Sequence, residues 1–235
     1  MKKFNPLVSI IIPVFNGTNY LEGAIQCALK QTYQNIEIII INDGSTDDGA
    51  TEKIAKQFGD QIRYYHQANG GCGAALNCGI SHMKGEYFSW LSHDDLYTPD
   101  KVAEQIALLD KLVNKNSIIF SAFEIIDENG THTSYVYPDE VLPGAKLALP
   151  LMPLLRGLIH GCSLLIPKKL FDEIGTFDIT KRTTQDYALW FDFLRKAPLE
   201  YVSKPLIKGR IHSAQDTQKI NDVHLRETNE LWSGF

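Results

Sequence analysis

The first half of the chain alternates between short apolar runs and segments with helical spacing. The runs are continuous and are bounded by Asn, Gly or Asp, which is typical of strands buried on both faces. Strands are predicted at residues 7–13, 36–41, 62–66, 87–91 and 117–126, of which 36–41, 62–66 and 117–126 each include a charged residue. After each of the first four, apolar residues recur at helical spacing and predict helices that end near Gln31, Phe58, Ile80 and Val113. This alternation predicts βαβ units, and therefore an α/β fold with a mainly parallel sheet flanked by helices.

Two of these helices carry capping signals. Ser45, with Asp48 three positions later, is a capping-box pattern for the second helix. Thr98-Pro99-Asp100 supplies an N-cap residue, a proline and an acid for the fourth helix. The two signals predict helices that begin directly after Ser45 and Thr98.

The second half of the chain is less regular. A hairpin-type turn at residues 127–130 leads into a predicted edge strand at 131–137. The segment 138–153 contains four prolines and predicts a loop or a broken helix. The remaining predicted elements are a strand at 163–167, a short helix to Ile174, a helix at 186–196 and a closing strand at 201–210. Because no repeat or flexible linker interrupts the chain, we interpret residues 1–235 as a single domain.

Composition places the chain among ordinary soluble proteins. Its 235 residues suffice for a core, and 44% hydrophobic with 22% charged residues is usual for a globular domain. A net charge of −5 argues against nucleic acid as a partner held by charge. The four cysteines lack zinc-like CxxC spacing, which indicates reduced thiols in the cytoplasm. Since no signal peptide or membrane-spanning run is recognisable, we expect a soluble protein, peripheral to a membrane at most.

Polar side chains follow three of the predicted strands. These strand ends are residues 13–16, 42–45 and 93–95, and in a parallel sheet they meet at one edge. Phe15 can stack on a base, and Asp43 can bind a base or ribose edge. The adjacent acids Asp94 and Asp95 repel one another unless a cation compensates, and with phosphate oxygens they suit Mg²⁺ or Mn²⁺. The pattern indicates a nucleotide site, with a solvated turn as the alternative for the acidic pair taken alone.

The chain lacks two common phosphate-binding motifs. No GxGxxG loop follows the first strand, and no GxxxxGK[ST] sequence occurs. Dinucleotide-dependent oxidoreductases and P-loop enzymes are therefore disfavoured. A diphosphate bound here would need a metal ion to meet its charge.

Four segments carry a resemblance to a known family. They are VSIIIPVFN, INDGSTDD, the Asn69-Gly70-Gly71 helix start with the following Ala75 to Ile80, and GEYFSWLSHDD. In order and spacing they resemble the family 2 glycosyltransferases of the GT-A fold, and Gly161-Cys162-Ser163 with Thr184-Gln185-Asp186 extends the resemblance more weakly. It implies transfer of a sugar, with inversion, from a nucleotide diphosphate donor such as a UDP-sugar to a hydroxyl acceptor. The expected cofactor is Mn²⁺ or Mg²⁺.

The resemblance also implies a setting and a division of the chain. Residues 1–115 would bind the nucleotide-sugar, and residues 116–235 the carbohydrate or glycolipid acceptor. Polysaccharide or glycolipid assembly in the cytoplasm, at the inner face of the cell membrane, is the expected setting.

Individual roles follow from the same resemblance. Expected nucleotide ligands are Pro13 and Phe15 at the base, Asp43 hydrogen-bonded to the base, Asn77, and Asp94 near the ribose and donor sugar. Asp95 matches the metal-binding acid, and His212 is a candidate to reach the metal or the diphosphate. Ser92 and His93 stand where other members often place another aspartate. The choice between Asp94 and Asp95 as metal ligand therefore stays open, with Asp95 preferred.

Asp186 matches the catalytic base of the family. Single displacement requires a base that deprotonates the acceptor hydroxyl, and a helix start would keep such a carboxylate ionised. The alternative is an acid that merely favours the helix start, and its predecessor is Gln185 rather than Glu. His160 either shapes the acceptor pocket or forms a turn, and Trp90 and Trp190 are expected in the core.

Two other classes of function remain as alternatives. A sugar nucleotidyltransferase shares the general architecture, but its usual glycine-rich basic loop is missing after the first strand. A catalytically weak protein that binds sugar nucleotides without turnover is the second alternative, because Ser92, His93 and Gln185 depart from the family pattern.

Overall fold

Strands and helices alternate through the first half of the chain, as the hydrophobic pattern predicts. The computed structural model describes residues 4–213, 215 and 220–233. The first elements are β1 (Val8–Val14), α1 (Leu21–Leu29), β2 (Ile36–Asp43), α2 (Ala50–Lys56), β3 (Arg63–Gln67), α3 (Cys72–His82) and β4 (Tyr87–Trp90). Every residue of β1 and β4 is buried, because neighbouring strands and helices cover both faces. These strands form the centre of the core.

The rest of the chain adds five strands, several short helices and a C-terminal helix. These elements are β5 (Leu96–Tyr97), α4 (Lys101–Lys111), β6 (Ile118–Ile126), β7 (His132–Val136), α5 (Pro138–Val141), α6 (Leu151–Leu155), β8 (Ile166–Pro167), α7 (Lys168–Ile174), α8 (Gln185–Leu194), β9 (Leu199–Arg210) and α9 (Asn221–Ser233). The proline-rich segment 138–153 is a broken helix, one of the two forms that its sequence predicts. The strand expected at 163–167 shrinks to two residues, because Gly161–Ser163 form a 3₁₀ turn.

The strands divide into two sheets, and this division was not expected. The first sheet has the order β3-β2-β1-β4-β8, parallel except for β8, while the second has the order β5-β9-β6-β7. In the second sheet β6 is parallel to β9 and antiparallel to β7, which is an edge strand as predicted. The α/β class with flanking helices is confirmed, but β6 does not extend the first sheet. Strand β5 precedes β6 in the chain's first half but joins the second sheet, and β8 of the second half joins the first sheet. The two halves of the chain therefore interleave.

Both helices begin later than predicted, α2 by four residues and α4 by two. Helix α2 begins at Ala50 after Gly49, and the Ser45 hydroxyl instead accepts a hydrogen bond from the backbone N–H of Asn16 at 2.9 Å. Helix α4 begins at Lys101, and the Thr98 hydroxyl donates to the Asp100 carboxylate at 2.8 Å rather than capping the helix. In both cases the polar side chain forms a hydrogen bond within a loop instead of capping the helix.

Candidate active site

A cavity of about 630 Å³ opens at the carboxyl ends of β1, β2 and β4. Parallel strands present ligand-binding groups at this edge of an open sheet. Its walls come from the strand ends, from the loop before α8 with the first turn of that helix, and from the segment after β9. The residues with functional groups in these walls include Phe15, Asn16, Asp43, Asn69, Cys72, Trp90, His93, Asp94, Arg182, Gln185, Asp186, His212 and Gln215.

Pro13, Phe15 and Asp43 share the wall formed by β1 and β2. The Phe15 side chain is 44% exposed, so its ring is open to the cavity. Asp43 is buried, and its carboxylate accepts hydrogen bonds from Gln67 Nε2 at 2.7 Å and from the backbone N–H groups of Gly70 and Gly71 at 3.0 and 2.8 Å. These bonds fix the loop that leads into α3. The structure therefore brings the three predicted residues together in one rigid corner.

Asn77 does not reach this corner. Its side-chain amide donates to the carbonyl oxygen of Phe177 at 2.8 Å, and its amide oxygen accepts from the backbone N–H of the same residue at 2.9 Å. Both halves of the amide are used to join α3 to the segment before α8. The expectation that Asn77 binds nucleotide is therefore not supported by its position, because it lies on the face of α3 that packs on Phe177.

Asp94 and His212 meet at the cavity surface. The Nε2 atom of His212 lies 2.9 Å from Oδ2 of Asp94, and Gln215 Nε2 approaches the same oxygen at 3.5 Å. Burial works to raise the pKa of Asp94, but the charge of His93 and the hydrogen bond from His212 outweigh it and hold the pKa below its ordinary value. The carboxylate thus faces the cavity in its ionised form.

Asp95 lies behind the cavity wall. Its side chain is buried, with Oδ1 accepting from the backbone N–H of Arg210 at 2.8 Å and Oδ2 accepting from the thiol of Cys162 at 3.2 Å. Burial, and after it the negative charge of Asp94, raises the pKa of Asp95 to about 8. The preference for Asp95 over Asp94 as the metal ligand is therefore not supported by the geometry. Asp94 is the acid that faces the cavity.

Asp95 also belongs to a cluster with the buried Cys162 and the half-buried His160, whose ligand atoms lie within 4.8 Å of one another. The Nδ1 atom of His160 accepts from the backbone N–H of Cys162 at 3.3 Å, which leaves the ring proton on Nε2, 3.8 Å from Asp95 Oδ2. Burial lowers the pKa of His160 to about 4, so the ring is neutral. Burial also raises the pKa of Cys162 well above its ordinary value, and its thiol donates to Asp95, whereas a cysteine binds metal as the thiolate. We therefore interpret the cluster as a hydrogen-bonded network that supports the acidic strand end.

His160 lies beneath β9 rather than in the cavity wall. A Cβ atom at Gly209 would lie 2.8 Å from His160 Nε2, and the ring packs 5.3 Å from that of Phe123. Its expected role in the acceptor pocket is thus not visible in its contacts, and the second alternative, a residue in a turn, describes its position better.

Arg210 of the second sheet holds the acidic strand end, a contact that no sequence pattern indicates. Its Nε donates to the carbonyl oxygen of Asp94 at 2.8 Å, and its Nη1 donates to the carbonyl oxygens of Asp127 and Glu128 at 3.0 and 3.1 Å. The guanidinium carbon lies 4.4 Å from the ring centroid of Tyr20. This buried cation fixes both the backbone of the acidic pair and the β6–β7 turn.

Asp186 lies in the first turn of α8 and lines the cavity. Burial raises its pKa to about 6, and hydrogen bonds from backbone N–H groups, including that of Tyr187 at 2.8 Å, oppose the rise. Beside it, Oε1 of Gln185 is buried and finds no hydrogen-bond partner among the described residues. Trp190 is buried in the core as expected, whereas Trp90 is both part of the core and part of the cavity wall.

Arg182 is a further cavity residue that no sequence pattern indicates. It contributes a guanidinium group to the cavity wall, and its Nε lies 4.0 Å from where a Cβ atom of Gly71 would be. The side chain therefore extends from the loop before α8 toward the start of α3. An arginine in an irregular loop carries no pattern that would have identified it.

The sequence that builds this site matches the model of an established protein family. The model of the family described as glycosyl transferase family 2 covers residues 9–175. The chain belongs to this family. A glycosyltransferase of Rickettsia felis is 59% identical over 230 residues, which are 98% of the present chain and 38% of that relative. The putative teichuronic acid biosynthesis glycosyltransferase TuaG of Bacillus subtilis is 28% identical, with 86% of the chain and 77% of the relative covered.

The fold is shared with solved glycosyltransferase structures. Residues 1–349 of TarS from S. aureus, solved in complex with UDP, align with a TM-score of 0.72 at 16% identity, over 88% of this chain and 61% of that one. TarS has also been solved with UDP-GlcNAc, and that structure aligns equally well, with a TM-score of 0.72. At this identity the likeness establishes the GT-A type of fold. Within the described residues, the structure contains no helix long and apolar enough to cross a bilayer.

Proposed function

We propose that this domain is an inverting glycosyltransferase that moves a sugar from a nucleotide diphosphate donor, a UDP-sugar, to a hydroxyl group of a carbohydrate or glycolipid acceptor. The observation that carries the proposal is the juxtaposition within one cavity of an exposed aromatic ring, an ionised carboxylate paired with imidazole, and a second carboxylate with a raised pKa. These are Phe15, the Asp94–His212 pair, and Asp186.

The corner formed by Pro13, Phe15 and Asp43 suits a pyrimidine base. The open ring of Phe15 offers a face for stacking. A carboxylate has about four lone-pair sites, and three donors already occupy Asp43. One site remains for a donor of the ligand, such as the ring N–H of uracil. The UDP complex of the structurally similar TarS supports the choice of UDP.

Asp94 and His212 fit a divalent cation. Their facing atoms are 2.9 Å apart, and ligands at adjacent corners of an octahedron with bonds of about 2.1 Å lie about 3 Å apart. A carboxylate with an imidazole suits Mn²⁺ better than an all-oxygen site would. When bound, Mn²⁺ or Mg²⁺ would neutralise the charge on the departing diphosphate. We therefore assign the metal to Asp94 and His212, with Asp95 supporting Asp94 from behind.

Asp186 is the general base in this proposal. The acceptor oxygen attacks the anomeric carbon while the bond between that carbon and the diphosphate oxygen breaks, and the hydroxyl proton passes to the Asp186 carboxylate. A base with a pKa of about 6 is ionised at neutral pH and still accepts a proton well. Attack opposite the leaving group inverts the anomeric centre. Acceptor binding falls to residues 116–235, which supply the wall that contains Asp186.

We place the reaction in the biosynthesis of a polysaccharide or glycolipid at the cytoplasmic face of the membrane. The assignment is supported by the similarity to TuaG, whose name refers to teichuronic acid biosynthesis. Association with the membrane would then be peripheral. The chain spans 38% of the Rickettsia felis relative, so the proposed function concerns this domain alone.

The experiment that tests the proposal separates donor binding from transfer. UDP binding is measured by calorimetry with and without Mn²⁺, and slow hydrolysis of radiolabelled UDP-sugars is measured without an acceptor. Asp186→Asn should bind UDP as the native protein does but lose at least about 10³-fold in sugar transfer. Undiminished transfer by this variant would remove Asp186 as the base. Failure of every nucleotide diphosphate to bind would remove the proposed function.

A further inference from the structure

Helix α9 places a buried carboxylate against the loop that precedes α8. Glu227 is only 4% exposed. Its Oε1 accepts from the backbone N–H of Arg182 at 2.8 Å, and its Oε2 accepts from the backbone N–H and the hydroxyl of Thr183, both at 2.9 Å, and from the hydroxyl of Thr184 at 3.4 Å. A carboxylate that accepts from four donors on three consecutive residues fixes the path of that loop.

The same loop forms the start of α8. Thr184 is the N-cap residue of α8, and within the described part of the chain its side chain caps none of the helix N–H groups. The hydroxyl points to Glu227 instead, at 3.4 Å. A helix normally satisfies its first N–H groups with its own N-cap side chain. Here the start of the helix is anchored from outside, by a residue 43 positions further along the chain.

Two functional side chains of the cavity depend on this anchor. Arg182 and Asp186 both line the cavity, and Asp186 follows Thr184 by two positions. A further contact of α9, between His224 Nδ1 and the Thr183 hydroxyl at 3.1 Å, supports the same loop. Displacement of the loop would therefore move the proposed base and the guanidinium together, while the base corner on β1 and β2 would stay in place.

We propose that Glu227 is a positioning residue for sugar transfer, which holds the loop 182–184 so that Asp186 and Arg182 face the reacting groups. The proposal rests on the proposed function, since it takes Asp186 as the base. It makes α9 part of the catalytic unit, although no side chain of this helix lines the cavity among the described residues.

The test compares two glutamates on the same helix. Glu227→Gln keeps the shape but turns an NH₂ group toward N–H or O–H donors, so that at least one hydrogen bond is lost. Glu230→Gln is the matched control, because Glu230 pairs with Lys181 from the same loop at 2.7 Å but has an exposed side chain. We expect Glu227→Gln to lower kcat at least about tenfold and to leave the Kd for UDP within about threefold. Glu230→Gln should change neither.

The pH profile of kcat distinguishes positioning from general support. In the native protein the acid limb reflects Asp186, whose pKa burial raises to about 6. When the start of α8 relaxes, the carboxyl gains solvent, and the limb should move to lower pH in Glu227→Gln but not in Glu230→Gln. A merely structural role predicts a different result, in which Tm, UDP affinity and kcat fall together and the limb stays in place. That result would overturn the proposal.

A second variant decides the question if Glu227→Gln does not fold. Thr183→Val removes one hydroxyl donor to Glu227 and leaves both backbone bonds, so we expect a smaller decrease in kcat with unchanged UDP affinity. An unchanged kcat in a folded variant contradicts the proposal. Asp186→Asn separates this failure from failure of the proposed function. If Asp186→Asn loses transfer while the Glu227 and Thr183 variants keep it, only the positioning role is wrong.

Discussion

On the nucleotide side of the cavity the functional side chains follow directly from neighbouring strands, whereas on the opposite side they depend on contacts between distant segments. Phe15 follows β1, Asp43 is the last residue of β2, and Asp94 lies four residues after β4. The loop with Arg182, in contrast, is fixed by Glu227, which is 45 residues away. The first side requires only that a parallel sheet forms, while the second also requires that α9 docks.

This difference predicts where changes will act. The strand ends are anchored in the most buried part of the molecule, where local opening is rare. The loop before α8 has no sheet to hold it and relies on a few polar contacts. We therefore expect substitutions on the strand side to act on donor and metal binding, and those on the loop side to act on the rate of transfer.

The largest effect on the strand side is expected for the acidic pair. Asp94→Asn should lose the dependence of UDP binding on Mn²⁺ and about 10²-fold or more in transfer, because the carboxylate that faces His212 is replaced by an amide. Asp95→Asn should keep the response to Mn²⁺, since an amide resembles the protonated acid favoured by the raised pKa of Asp95. Calorimetric titration of UDP at several Mn²⁺ concentrations measures both variants.

The opposite ranking of the two variants would contradict the assignment. If Asp95→Asn abolishes the response to Mn²⁺ while Asp94→Asn retains it, Asp95 is the ligand, and the hydrogen bonds that it receives from Arg210 and Cys162 must rearrange when metal binds.

The strand side is also where the sequence was most informative. Continuous apolar runs predicted β1, β2 and β4 within a few residues, since a strand buried on both faces has few other possible sequences. Strand β3 was also predicted, although its residues are mostly half-buried. Phe15, Asp43 and Asp94 follow these runs, so their meeting in one cavity could be predicted from the parallel order alone. Asp186 was found through the family resemblance and not through the pattern.

The opposite side could not be predicted because its order depends on tertiary contacts. Arg210 and Asp95 are 115 positions apart, and nothing in either segment indicates that they meet. The choice between Asp94 and Asp95 likewise depends on which side chain β9 covers. The pairing of β6 with β9 instead of with the first sheet has the same origin, since both arrangements bury the same apolar run.

A smaller effect is expected at the base corner. Phe15→Ala should weaken UDP binding roughly tenfold, because stacking of a base on an aromatic ring contributes about 1–3 kcal/mol. The value of kcat at saturating donor should stay near that of the native protein, since Phe15 follows β1 whereas the proposed base belongs to α8. Steady-state kinetics with calorimetry separate the two quantities. A fall in kcat with unchanged affinity would show that Phe15 faces the acceptor instead.

Asn77 provides the contrasting variant on the same side. Asn77→Ala removes both hydrogen bonds to Phe177 and should lower the free energy of unfolding by about 1–3 kcal/mol. UDP affinity at a temperature where the variant is folded should be unchanged, because the amide is engaged away from the cavity. Urea denaturation and calorimetry give the two numbers. Weaker UDP binding without loss of stability would restore Asn77 as a nucleotide ligand.

The smallest effect concerns Lys101, which lies where the two sheets meet. Its buried ammonium group donates to the Ser89 hydroxyl on β4 and to the carbonyl oxygen of Leu164, and it lies 4.3 Å from the ring centroid of Tyr97 on β5. Burial lowers the pKa of Lys101 from 10.5 to about 7. At a pH between about 7 and 10.5, Lys101 therefore binds a proton in the unfolded chain but not in the folded protein.

This difference in proton binding determines the sign of the pH dependence of stability. The contribution of Lys101 to the free energy of unfolding rises with pH from about 7 upward, by at most about 1.4 kcal/mol for each pH unit. Lys101→Met removes the term, so urea denaturation at pH 7.5, 8.5 and 9.5 should show the native protein gaining stability relative to the variant. Lys84→Met is the control, because Lys84 is an exposed lysine. A difference independent of pH would mean that Lys101 stays protonated in the folded protein, and that Tyr97 and the two oxygens compensate the charge between the sheets.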